Sequence, residues 1–79
     1  MYTLQDLEPG KTAKVIGLDE SCQGFERFRL LDLGVVPGTE ITLALDNPLH
    51  DPLAYLIRGA VIALRRKQAS RILVEINEE

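Results

Sequence analysis

The sequence predicts a mainly β domain, a small partly open barrel of about five short strands with one helix inserted after the first strand. Two Pro-Gly turns, Glu8-Pro9-Gly10-Lys11 and Val36-Pro37-Gly38-Thr39, each launch a segment in which apolar and polar residues alternate. Helical spacing occurs over one stretch, Ser21 to Gly34. With 79 residues there is one domain, 1–79, and one core, and strands this short bury an apolar face together only if their sheet curls on itself.

The elements follow in order. Leu4 and Leu7 precede the first turn, where proline presets φ at the second position and glycine accepts the positive φ that follows. Lys11 to Leu18 then reads as a strand with Ala13 and Val15 inward, and Gly17 marks a bulge or bend. From Ser21 to Gly34 the spacing of Phe25, Phe28, Leu30, Leu31 and Leu33 among charged residues suits a helix of about three turns. Phe25 and Phe28 are expected in the core, since the helix must bury a face. Gly34 is placed just past the helix end, with Val35 packing back on Leu30. Ser21 stands near the start as a cap, although Gly24 occupies the position where a capping box needs Glu or Gln.

Thr39 to Leu45 is the cleanest strand, with Ile41, Leu43 and Leu45 inward. The segment from Asp46 to Pro52, with two prolines and little periodicity, reads as a loop. Leu53 to Arg58 and Ala60 to Leu64 form a tight hairpin about Gly59, with Leu53, Tyr55 and Ile57 inward. Arg65 to Ser70 fits a single helical turn, Arg71 to Ile76 closes the barrel with Ile72, Val74 and Ile76 inward, and Asn77-Glu78-Glu79 frays.

Composition narrows the function. The net charge of −3 has the wrong sign for a protein that lives by neutralising phosphates, and two Tyr and two Phe without Trp are too few for a base-stacking groove. No apolar run approaches the length of a membrane span, and the N-terminus lacks the basic start and apolar stretch of a secretory signal. The single cysteine excludes an internal disulfide. These features lead us to expect a cytoplasmic protein with no direct membrane insertion.

Catalysis finds no support in the sequence: there is no nucleophile–base arrangement, phosphate-cradling loop or distinctive carboxylate pair. No enzyme activity and no cofactor are assigned. Cys22 and His50 are the candidate ligands for a transition metal ion, joined by Glu20 or Asp51, yet they lack the paired spacing of an autonomous site. Arg65, Arg66, Lys67 and Arg71 form the one basic cluster. It reads either as a solvated turn whose charges keep a sheet edge from pairing, or as a contact for acidic protein, nucleotide or RNA. Leu56 and Leu73 oppose the inward sets of their strands and are candidates for an exposed apolar patch facing a partner or a dimer mate.

Taken together, Leu4-x-x-Leu7-x-Pro9-Gly10-x-x-Ala13-x-Val15, Arg29-Leu30-Leu31-Asp32-Leu33-Gly34-Val35-Val36-Pro37-Gly38-Thr39 and Arg58-Gly59-x-x-Ile62-Ala63-Leu64-Arg65-x-x-x-Ala69-x-x-Ile72-x-Val74 resemble the FeoA family over nearly the whole chain. The resemblance implies an SH3-like barrel, like those attached to metal-dependent transcriptional regulators. It also implies a non-enzymatic accessory of ferrous iron transport, whose partner is the FeoB-type membrane transporter with its cytosolic GTPase domain. No residues remain for a DNA-reading helix-turn-helix or a membrane span, which favours the transporter accessory over the regulator's appendage. The competing expectation is a small nucleic-acid-binding barrel that uses the Arg65–Arg71 cluster on phosphates.

Overall fold

Tyr2–Thr3 forms a two-residue strand (β1) that pairs with the far end of the chain, too short to show any alternation in the sequence. The computed structural model describes residues 1–44 and 51–76. A 3-10 turn over Leu4–Asp6 follows, and Thr3 N donates to Asp6 Oδ2 at 2.9 Å. The turn drives Leu4 and Leu7 into the core, and Gly10 N donates to Leu43 O at 2.7 Å, so the Pro-Gly turn is tied to a neighbouring strand at once.

Among the described residues there are six antiparallel strands, one more than expected because of β1. They are β2 (Thr12–Leu18), β3 (Glu40–Leu43), β4 (Leu53–Ile57), β5 (Ala60–Leu64) and β6 (Ile72–Ile76) in addition to β1. The sheet runs β1-β6-β2-β3-β4-β5, and its two end strands do not pair with each other, so the barrel is partly open. Between β2 and β6 the register slips at Ile16, between Val15 and Gly17, which is the bulge expected there. Ile16, next to inward Val15, faces outward.

Inward positions match the alternation. Ala13, Val15, Ile41, Leu43, Tyr55, Ile57, Leu64, Ile72 and Val74 are buried in one core, and Leu53, Ile62 and Ile76 pack on its margin. The β4–β5 connection is the tight hairpin predicted: Arg58 (φ 50°) and Gly59 (φ 81°) both adopt left-handed backbone, the geometry of a type I′ turn that matches strand twist. A single short helix, α2 (Arg66–Ala69), precedes β6. Gln68 Oε1 accepts from Arg65 N, and Asp51 Oδ1, across fifteen residues of chain, accepts from Arg66 N, each at 2.9 Å.

Helix α1 (Gly24–Asp32) ends as the sequence predicts. Gly34 has φ 101°, its N donates to Leu31 O at 3.0 Å, and Val35 N donates to Leu30 O at 2.9 Å, the paired bonds of a Schellman ending over two buried side chains. The start differs from expectation. Ser21 donates from both N and Oγ to Asp19 Oδ2, at 3.0 and 2.6 Å, and the helix begins three residues later, after Gln23. Phe25 and Phe28 are also corrected: they are 93% and 74% exposed. The Schellman bond fixes Leu30 on the core, and Glu26 and Leu33 lie on that same side at i−4 and i+3. The helical rotation therefore carries Phe25 and Phe28 to the opposite face.

The Leu45 end of the third predicted strand, most of the 46–52 loop and the 77–79 tail lie outside the described residues.

Candidate partner-binding surface

Cys22 sits at the entry to α1, fully buried, with its N donating to Asp19 O at 2.9 Å. Burial, reinforced by the neighbouring Glu26 carboxylate, raises its thiol above the ordinary range, so the group is a neutral packing element and a poor nucleophile. His50, the other candidate ligand, lies outside the described residues. Among the described residues no three His, Cys, Asp or Glu side chains gather in a way that would hold a metal ion.

The basic cluster is divided by the fold. Arg71, at the entry to β6, turns to α1 and pairs with Glu26 at 2.5 Å, both side chains being about three-quarters buried. Its carbonyl also accepts from Asp19 N at 2.8 Å, so Arg71 secures the β2–α1 connection. Arg65, Arg66 and Lys67 remain exposed around α2. Arg66 borders a half-enclosed groove of about 240 Å³ with Leu7, Pro9, Leu43, Ala44 and Leu53.

Leu56 and Leu73 are separated too. Leu73 on β6 lies opposite Thr3 and Gly17 and is half-buried, whereas Leu56 on β4 lies between Thr42 and Val61. Leu56 is 44% exposed and Val61 71%, and the two side chains form an apolar pair on the outer face of the hairpin. A second exposed apolar face runs along α1 through Phe25, Phe28 and Leu31. The sequence shows that stripe, and the Leu30–Val35 contact at the helix end is the signal that orients it outward.

At the hairpin tip, Arg58 reaches across to the end of α1 and lies over Gly34. With Lys14 and Glu40 it lines an open cleft beside Pro37-Gly38-Thr39. The second Pro-Gly turn, the helix end and the β4–β5 turn, all singled out in the sequence, thus converge at one end of the barrel.

The fold has counterparts in known proteins. A model of the FeoA domain matches residues 2–76. The chain belongs to the FeoA family. It is 36% identical over 73 residues to an Fe(2+) transport protein A/Fe(2+) transporter FeoB fusion protein of Porphyromonas gingivalis, a match covering 92% of the chain and 8% of that protein. The chain therefore spans under a tenth of that relative's length. The NMR structure of a FeoA-like protein from Clostridium acetobutylicum superposes with a TM-score of 0.82 at 36% identity, covering 98% of this chain and 87% of that one. The crystal structure of Stenotrophomonas maltophilia FeoA complexed with zinc, described as a procaryotic SH3 domain protein, gives 0.80 at 27% identity over 95% and 91% of the two chains. The FeoA barrel seen here is SH3-like in the same sense, with its sheet left unclosed.

Proposed function

We propose that this FeoA-family chain is a non-enzymatic cytoplasmic accessory of ferrous iron uptake that binds a FeoB-type, GTPase-linked membrane transporter and modulates it. The observation carrying this reading is the Porphyromonas relative, in which a segment aligned with 92% of this chain shares one polypeptide with a FeoB transporter. Covalent fusion holds two modules at high effective concentration, an arrangement that serves modules acting on one another. The Stenotrophomonas FeoA, put forward by its description as a ferrous iron transport activating factor, supports the same role. Among the described residues no helix is long and apolar enough to cross a membrane, in keeping with an attachment made through a partner. The exposed apolar side chains on α1 and the β4–β5 hairpin supply surface for such contact.

The nucleic-acid reading is weaker, because Arg71 is committed to Glu26 and the chain is net acidic.

A pull-down from detergent-solubilised membranes tests the proposal. The immobilised chain should retain a FeoB-type transporter, as a FeoA-type control does. Retention by the control alone would overturn the reading.

A further inference from the structure

The open side of the barrel ends on β5, whose sequence Ala60-Val61-Ile62-Ala63-Leu64 carries no charge and no proline. Strands exposed at an edge are commonly blunted by one or the other. The type I′ turn makes Ile57 and Ala60 a hydrogen-bonded pair, so alternation directs the backbone groups of Ala60, Ile62 and Leu64 to β4 and those of Val61 and Ala63 to the open edge. Among the described residues no other segment bonds to them. Val61, Ala60 and Ala63 also expose their side chains.

Charge is concentrated at the two ends of this edge. Arg58 stands before it at the hairpin tip, its flexible, exposed side chain resting over Gly34, and Arg65, Arg66 and Lys67 follow it. The sole ion pair among the described residues, Arg71 with Glu26, uses none of these four. Two carboxylates lie nearby: Asp51 accepts from the Arg66 backbone N, and Glu40 shares the cleft of Arg58 and Lys14. The balance at the edge stays basic.

A second copy of the chain is a poor occupant. Two β5 strands paired antiparallel about Ile62 would exchange bonds through Val61 and Ala63, but would set Arg58 of each copy opposite Arg66 of the other, and facing like charges are destabilising. We propose that β5 is a docking edge for an extended segment of a different protein, an apolar β-forming run with acidic residues at both ends, which adds to the sheet as a seventh strand. Backbone bonding to Val61 and Ala63 supplies the register, the Leu56–Val61 pair receives apolar side chains on the outer face, and the flanking cations select the acidic ends. This inference is independent of the transporter's identity as partner.

The probe is a synthetic peptide with an alternating Val/Thr core and two glutamates at each end, compared with one carrying lysines at the ends. Amide hydrogen exchange of the full chain is read by NMR. At low salt and millimolar concentration the glutamate-ended peptide should slow exchange at Val61 and Ala63 by about tenfold, and the lysine-ended one should not, since protection scales with the ligand's excess over its Kd. Added salt should reduce the effect. Ala63→Pro, which removes an outward N–H at a place where an edge tolerates proline, should abolish it. Should that variant fail to fold, the comparison of the two peptides on the unaltered chain decides alone. The proposal is overturned by unprotected Val61 and Ala63 amides with the glutamate-ended peptide, by equal protection from both peptides, or by protection present without peptide and lost on dilution, which would assign the edge to a second copy.

Discussion

Arg58 packs over Gly34, with its Cδ only 2.5 Å from the point where a Cβ on Gly34 would stand. Two residues of positive φ therefore meet, one ending the helix and one turning the hairpin. Gly34→Ala should destabilise the domain by about 1–3 kcal/mol, mostly through backbone strain, since the flexible Arg58 side chain can swing aside. In an Arg58→Ala background the same substitution should cost less, by about 0.5 kcal/mol or more. Urea unfolding of the four proteins measures both quantities.

Ile41 is fully buried at the centre of β3, between β2 and β4. Ile41→Ala should cost about 2–5 kcal/mol, a large share of what a domain this small possesses. An unchanged melting temperature would refute the inward assignment.

Phe25 and Phe28 behave oppositely. Their rings face solvent, so Phe25→Ser and Phe28→Ser should each shift stability by no more than about 0.5 kcal/mol, where loss of a core aromatic would cost about 3–5. Denaturant midpoints separate the two outcomes cleanly.

How much of the fold was legible follows from where information is local. The Pro-Gly turns, the Gly34 ending, the Gly17 bulge and the inward sets of the longer strands all follow from chemistry within a few residues. The strand Tyr2–Thr3 was not legible because it exists only through its pairing with Val74 and Leu73. The Phe25–Phe28 stripe is visible in the sequence, and the local Leu30–Val35 contact suffices to turn it outward; what the sequence does not show is the Glu26–Arg71 pair, made across 45 residues, that holds the opposite face on the barrel. For the same reason the Arg65–Arg71 cluster looked continuous in sequence, although the fold withdraws Arg71 from it. The edge character of β5 depends on strand order, which alternation does not encode.

Asp19 offers a test on the acid side. Its carboxylate accepts from the Ser21 hydroxyl first and the Ser21 N second, and these bonds hold its pKa below the usual value. The folded state therefore binds this proton less tightly than the unfolded chain. The resulting stability is present above the unfolded value of about 4 and is lost as pH falls through the folded pKa. Asp19→Asn should flatten that part of the stability profile between about pH 5 and pH 2. An acid limb identical to the parent's would contradict the assignment.

Cys22 provides the alkaline counterpart. Burial raises its thiol pKa, so the folded state favours the neutral form, and the stability this gives is lost as pH rises through the thiol range. Alkylation by iodoacetamide at pH 8 should be slower than in the unfolded chain by at least about a hundredfold and should accelerate with denaturant, because reaction awaits opening of the α1 entry.

The most direct measurement of the central claim is ferrous iron uptake by cells in which the gene for this chain has been deleted. The account predicts reduced uptake, restored by the chain supplied in trans, while the amount of FeoB-type transporter in the membrane is held equal. Uptake unchanged by deletion under iron-limited, reducing conditions would contradict it.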